Sequence, residues 1–183
     1  MNAALLIQLL GAFGLGSLLV LAINLREQRR QFRADVLTAL GRSERERWAT
    51  DGKSNFTEAA HELQNAALLA GLRRQPVLAY LVLAQAALNE SLDDYDQKGG
   101  HPELYPGSMN ASHADLVRRA AEEIVRLVWN PWRTLAWRRK EPGRILEEAE
   151  RLPAFAQRVA LARKVWLGAP PAGRSGAPLG ELS

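Results

Sequence analysis

The stretch "LLIQLLGAFGLGSLLVLAINLREQRRQFR", residues 5–33, decides how the rest of the chain is read. It is an apolar run that stops abruptly at four arginines. Residues 3–25 contain no ionisable side chain, and 13 of those positions are Leu, Ile, Val or Phe. About 20 consecutive apolar residues suffice to cross the hydrocarbon core of a bilayer. Each aliphatic or Phe side chain favours insertion by roughly 0.3–0.6 kcal/mol near the helix centre. Gln8 and Asn24 sit near the two ends, where polarity costs least. The run therefore predicts a transmembrane anchor.

Two other readings of the same run are weaker. A cleavable export signal begins with basic residues and ends in small ones, whereas "MNAALL" carries no Lys or Arg and the run closes on "AINLREQRR". A buried helix without a charged face over 23 residues would need protein on every side. Because the positive charges follow the run, the positive-inside rule puts the N-terminus outside and the remainder in the cytoplasm. This expectation corresponds to a bacterial inner (cytoplasmic) membrane protein. Ala12 and Gly16 form a small-xxx-small pair that would let two membrane helices approach closely.

The chain has 183 residues, which leaves enough beyond the anchor for one folded core. Cysteine is absent, which excludes disulfides, thiolate nucleophiles and Cys-based zinc sites. The net charge of +4 is unevenly spread. Residues 26–49 carry 7 basic against 4 acidic side chains, residues 50–116 carry 4 against 9, and residues 117–167 carry 12 against 6. Such alternation fits basic parts facing anionic lipid, or ordinary solvated helix faces.

No alternating strand pattern and no internal repeat is visible, and helical periodicity is nearly continuous. Phe32, Val36, Leu37 and Leu40 carry the first helix to about Leu40, and "SERERWATDGKSN" (43–55) reads as a polar junction. Asn55 and Glu58 offer a capping box for a second helix, with an apolar stripe of Ala59, Ala60, Leu63, Ala66, Ala67 and Ala70, which Gly71 can end. Pro76 suits the first turn of a third helix. Its run "VLAYLVLAQAAL" (77–88) is apolar on almost every side, too short to span, and fits a central buried helix.

The segment "DDYDQKGGHPELYPGSMNAS" (93–112) reads as irregular. Ser112 and Asp115 can open a fourth helix with a stripe of Leu116, Val117, Ala120, Ala121, Ile124, Leu127 and Val128. Its outer face offers Arg118–Glu122, Arg119–Glu123 and Glu122–Arg126 pairs. Ile145, Leu152, Val159 and Trp166 recur every seven residues in a last helix that Pro153 kinks or splits. The tail from residue 169 on is Pro/Gly-rich and reads as disordered.

The expected architecture is all-α: one N-terminal transmembrane helix followed by a compact cytoplasmic bundle of four to five helices. The expected divisions are an anchor over 1–25, a basic juxtamembrane helix and junction over 26–55, a helical bundle over 56–168 and a tail over 169–183.

Motifs for chemistry are sparse. "HELQN" (61–65) approaches the H-E-x-x-H zinc helix, but Asn65 stands where the second histidine is required. Asp94, Asp96 and Gly99 match three positions of a calcium loop, yet Lys98 and Tyr105 occupy two liganding positions. His101 and His113 flank the same loop without a nucleophile or phosphate-binding motif beside them. No metal or cofactor is expected.

"WNPWRTLAWRRK" (129–140) is the most informative stretch beyond the anchor. Trp favours the membrane–water interface, and Arg and Lys reach lipid phosphates. Trp129, Trp132, Arg133, Trp137, Arg138, Arg139 and Lys140 thus form a candidate contact with the membrane surface or with a protein partner. Trp132 and Trp137 are about 140° apart on a helix, so one face cannot bury both. No nucleic-acid module is present.

The function expected from these features is a non-catalytic, single-pass accessory, scaffold or assembly subunit. It would hold a helical module at the cytoplasmic face and pair with a membrane protein, or with itself, through the span. The alternatives are a membrane-tethered enzyme using the 93–115 loop, with Asp94, Asp96, His101 and His113 as candidates, or a membrane immunity protein.

Overall fold

In the computed structural model, the described residues are 3–48, 55–97, 110–130 and 140–168, with side chains in the first helix described from Val20 onward. They form six α-helices and no strand: α1 (Ala3–Arg47), α2 (Phe56–Leu69), α3 (Arg74–Gln97), α4 (Ala111–Trp129), α5 (Glu141–Glu150) and α6 (Pro153–Leu167). Among the described residues, no helix is long and apolar enough to cross a membrane. Ala12 and Gly16 lie outside the described side chains, and residues 131–139, with Trp132, Arg133, Trp137, Arg138 and Arg139, lie outside the described residues altogether.

The fold is organised around α3. Every residue from Val77 to Ala84 is buried, as are Ala86, Ala87 and Leu88. A helix apolar on all sides needs protein on all sides, and α3 packs against each of the other five helices. The stripes of α4 (Leu116, Val117, Ala120, Ile124, Val128) and α6 (Phe155, Val159, Ala162, Trp166) close two of its faces. α2 contributes Phe56, Ala60, Leu63 and Ala67, and α5 contributes Ile145, Leu146 and Ala149.

α1 is a continuous helix of 45 residues, about 68 Å long at 1.5 Å per residue. Its second half belongs to the bundle: Val36, Ala39 and Leu40 are in the same core as α3. The helix does not end near Leu40, and its last turns are not a polar junction. Ser43 and Arg47 are buried, because α3 supplies a polar partner at that depth. The Ser43 hydroxyl lies 2.9 Å from the Leu40 carbonyl and 2.8 Å from the Tyr80 hydroxyl. Tyr80 donates to Glu44 Oε1 at 2.7 Å, and Arg47 donates to Glu44 Oε2 at 2.6 Å. The Arg47 guanidinium also covers the Trp48 ring at 4.4 Å, a cation–π contact that suits a partly dehydrated arginine.

Other termini follow local chemistry. α2 ends in a Schellman motif, in which Leu72 N–H donates to Ala67 O at 2.8 Å and Gly71 N–H to Leu68 O at 3.0 Å. Gly71 adopts φ +69° there, a conformation that a side chain would strain. The capping box at the start of α2 does not form: the Asn55 side chain makes no cap bond, and its backbone N–H instead donates to Glu46 Oε2 of α1 at 3.1 Å. α3 persists to Gln97, past the expected end near residue 93. Arg158 of α6 donates to Asp93 Oδ2 at 2.8 Å and holds that last stretch. α4 opens two residues early, since Asn110 Oδ1 accepts from Ser112 N–H at 3.0 Å. Arg118–Glu122 and Glu122–Arg126 pair as expected. Arg119 turns away from Glu123 and reaches Glu148 of α5 at 3.0 Å. The α5–α6 break falls at Pro153, with Leu152 before it in the extended conformation (φ −85°, ψ 105°) that a following proline imposes.

Burial pushes the Tyr80 hydroxyl pKa well above its ordinary value of 10.0, and the Glu44 charge adds to that shift. Tyr80→Phe removes the hydroxyl while keeping the ring, and should cost about 1–3 kcal/mol by leaving Ser43 and Glu44 underpaired. Since the folded pKa lies above the unfolded one, the stability Tyr80 provides is complete below about pH 10 and is lost as pH rises through the folded value. Urea unfolding of both chains across that range should show a difference that shrinks at alkaline pH. A variant as stable as the parent at neutral pH would show that the network adds nothing.

Candidate functional site: the basic and apolar end of the bundle

The helix register places three segments at one end. α2 runs antiparallel to α1, fixed by ion pairs of Arg42 with Glu58 and Glu62 and by the Asn55–Glu46 bond. Its C-terminal turn, Leu69 to Gly71, therefore returns to the level of Leu25, Gln28, Arg29, Phe32 and Arg33. α4 runs antiparallel to α3, with His113 opposite Glu90, so Val128 and Trp129 come back beside α1 at Ala34 and Leu37. The first turn of α3, with Arg74, adjoins Leu68.

This end exposes side chains that globular surfaces usually cover. Leu68 is 76% exposed, Leu69 65% and Trp129 65%. Beside them stand Arg26, Arg29, Arg30 and Arg33, whose 3-1-3 spacing places all four within about 100° of one helix face. That face is the one which, a turn or two later, presents Leu37 and Leu40 to the bundle. A groove of about 860 Å³ runs along it, lined by Ala22, Leu25, the four arginines, Ala34, Leu37, Val128 and Trp129. A second groove, of about 560 Å³, flanks α1 on the α2 side and shares Leu25, Arg29 and Arg33. Among the described residues, no carboxylate pairs with Arg26, Arg29 or Arg33, and Arg30 meets only Glu27 at 3.9 Å, both side chains being exposed. An exposed pair of that kind is worth little.

The charges on α3 run against its own dipole. Arg73 and Arg74 stand at its N-terminus and Asp93, Asp94 and Asp96 in its last turns. Cations favour helix C-termini and anions N-termini, each by roughly 0.3–1 kcal/mol. The arrangement therefore does not serve α3. It makes the arginine end of the bundle basic and the opposite end, about 30 Å away along α3, acidic.

Of the residues expected at the contact surface, Trp129 lies at this end and is exposed, while Lys140 is exposed at the start of α5. In the sequence Arg26, Arg29, Arg30 and Arg33 stand as an orientation signal and a basic, lipid-facing segment, without a groove, and Leu68 and Leu69 carry no expectation. The 3-1-3 arginine spacing was available as a signal. So was the position of Leu68 and Leu69 off the Ala59–Leu63–Ala67 stripe.

Of the enzyme candidates, His113 lies in the packed interior of the bundle. His113 is 3% exposed, bonded through Nδ1 to Glu90 Oε2 at 2.7 Å, and stacked on Phe155 with ring centroids 4.1 Å apart. Asp94 and Asp96 are at the end of α3, and His101 lies outside the described residues. His61 packs edge-on against Trp166 at 5.4 Å, and Asn65 is exposed. Among the described residues, no three His, Cys, Asp or Glu side chains cluster as metal ligands. Comparison with family models, curated proteins and solved structures found no match to this chain.

The environment of His113 predicts what its mutation reports. His113→Ala should lower stability by roughly 2–3 kcal/mol, from the lost stacking volume and the partner taken from Glu90. The exposed Asp96→Ala should stay within about 0.5 kcal/mol. Thermal melts of both variants test this directly, and an unchanged His113→Ala melt would reopen the histidine as a catalytic rather than a packing residue.

Proposed function

We propose that this chain is a single-pass, membrane-anchored accessory or scaffold subunit without catalytic activity of its own. Residues 3–25 form the anchor, with the N-terminus outside, and the bundle stands on the cytoplasmic face of a bacterial inner membrane. The observation that carries this reading is the concentration of Arg26, Arg29, Arg30, Arg33, Leu68, Leu69 and Trp129 at the end from which the uncharged half of α1 emerges. Anionic leaflets attract basic juxtamembrane segments by about 1 kcal/mol per Lys or Arg, and Trp and Leu fill the interfacial layer between the charges.

Because α1 is a single helix without a break, the position of its first half would set the orientation of the bundle. Ala12 and Gly16 would pack the span against a membrane-protein partner or a second copy. Trp132, Arg133, Trp137, Arg138, Arg139 and Lys140 follow Trp129 in the chain and would extend the same contact surface toward lipid or partner. The inverted charge on α3 supports this orientation, since it turns the acidic end away from the leaflet.

The test is extraction with alkaline carbonate followed by protease access from either side of inverted vesicles. The chain should resist extraction, and sites in the bundle should be cut only when the cytoplasmic face is exposed. Replacing residues 5–21 with a uniform leucine helix should preserve insertion and weaken assembly. Full release by carbonate would refute the anchor, and unchanged assembly would remove the role of Ala12 and Gly16.

A further inference from the structure

We infer that the groove between the arginine face of α1 and Val128–Trp129 of α4 binds the phosphate headgroup of an anionic phospholipid, with the start of the lipid's acyl chain against Ala22 and Leu25. This rests on the anchored reading above and adds to it a defined lipid site, distinct from general attraction to a charged surface.

Three features carry the assignment. The groove continues the face of α1 that is core inside the bundle, and of its apolar lining Ala22, Leu25 and Trp129 are exposed while Leu37 and Val128 are packed against the core. Its charged wall holds four guanidinium groups and no acceptor: no carboxylate pairs with Arg26, Arg29 or Arg33 among the described residues, and Glu27 meets Arg30 only at 3.9 Å. Guanidinium forks match phosphate oxygens, often two bonds at a time. Along α1 itself, the apolar and charged residues before Ala34 lie in the order that a phospholipid presents, while Leu37, Val128 and Trp129 close the groove on the bundle side of the arginines. Ala22 and Leu25 lie toward the uncharged half of α1, and the arginines follow within about two turns, where the phosphate layer begins.

A free phosphate would use the arginines and leave Ala22 and Leu25 exposed. A protein segment would use the apolar side chains and need carboxylates in an order that the 3-1-3 arginine face would have to match. An anionic lipid meets the arginines and the exposed Ala22 and Leu25 with one molecule, and its position is fixed by the membrane.

The experiment is native mass spectrometry of the detergent-purified full-length chain, titrated with phosphatidylglycerol or phosphatidylcholine of identical acyl chains. Phosphatidylglycerol should bind in preference, and Arg29→Gln with Arg33→Gln should reduce that preference about fivefold for each arginine removed. Leu25→Ala should weaken both lipids through the apolar contact. Arg144→Gln with Arg151→Gln, an equal charge change on and just after α5 outside the groove's lining, should leave the preference unchanged. Equal binding of the two lipids, or equal loss in both arginine pairs, would overturn the site. Displacement of phosphatidylglycerol by inorganic phosphate at comparable concentration would overturn the lipid assignment in favour of a free anion.

Carbonate extraction of the same proteins separates the two proposals. Wild-type release with lipid preference intact would sink the anchor alone. Retention in the membrane with no lipid preference would sink the site alone.

Discussion

A helix that is apolar on every side cannot rest on a surface, and that constraint on α3 organises the bundle. From Val77 to Ala84 no residue offers water a face, so partners must close the full circumference. α4 and α6 can do so because each carries a single stripe at 3.6-residue spacing. α1 can do so only from Val36 onward, since its preceding turns present arginine on the same face. The bundle thus begins on α1 where the stripe changes from guanidinium to aliphatic. The hydrogen bonds of Tyr80 on α3 with Ser43 and Glu44 on α1 then fix the register of α1 on α3 more narrowly than alanines and leucines alone, because each has a specific partner.

The continuity of α1 gives that register a longer reach. A straight helix transmits the position of one end to the other with little loss, and here one end is packed into a core while the other is uncharged for 23 residues. Whatever holds residues 3–25 therefore sets which end of the bundle faces it. The end in question is the one where Leu68, Leu69 and Trp129 are left exposed, so the exposed apolar side chains lie where the uncharged half of α1 leaves the bundle.

Much of this was legible from residue order. The 77–88 run identified the central helix because no amphipathic alternative fits it, and Gly71 and Pro153 marked two boundaries through backbone rules that act locally. What could not be read depended on distant partners. Ser43 and Arg47 look like solvent-facing residues until Tyr80, over 30 positions later, is brought beside them. Asn55 and Glu58 match a capping box, yet Glu46 on the neighbouring helix takes the backbone N–H instead. Arg119 has Glu123 one turn away and still reaches Glu148 on α5. The basic and apolar end was half legible: Trp129 stood out by composition, whereas the arginine face acquires a groove only when the end of α4 returns beside it.

Net charge is a poor guide to what such a molecule feels near a membrane. Screening at physiological ionic strength confines electrostatic influence to about 8 Å. The arginine end and the acidic end are separated by about 30 Å along α3. A leaflet beneath the bundle would therefore sense Arg26, Arg29, Arg30, Arg33 and Arg74 almost without their counterweight at Asp93, Asp94 and Asp96. The whole-chain value of +4 averages two ends that no surface meets together. The same separation explains how α3 tolerates charges placed against its dipole. Each costs a fraction of a kcal/mol, small beside the burial of a helix on all sides. The most deeply buried helix of the fold is thus the element best able to carry a charge arrangement that does nothing for itself.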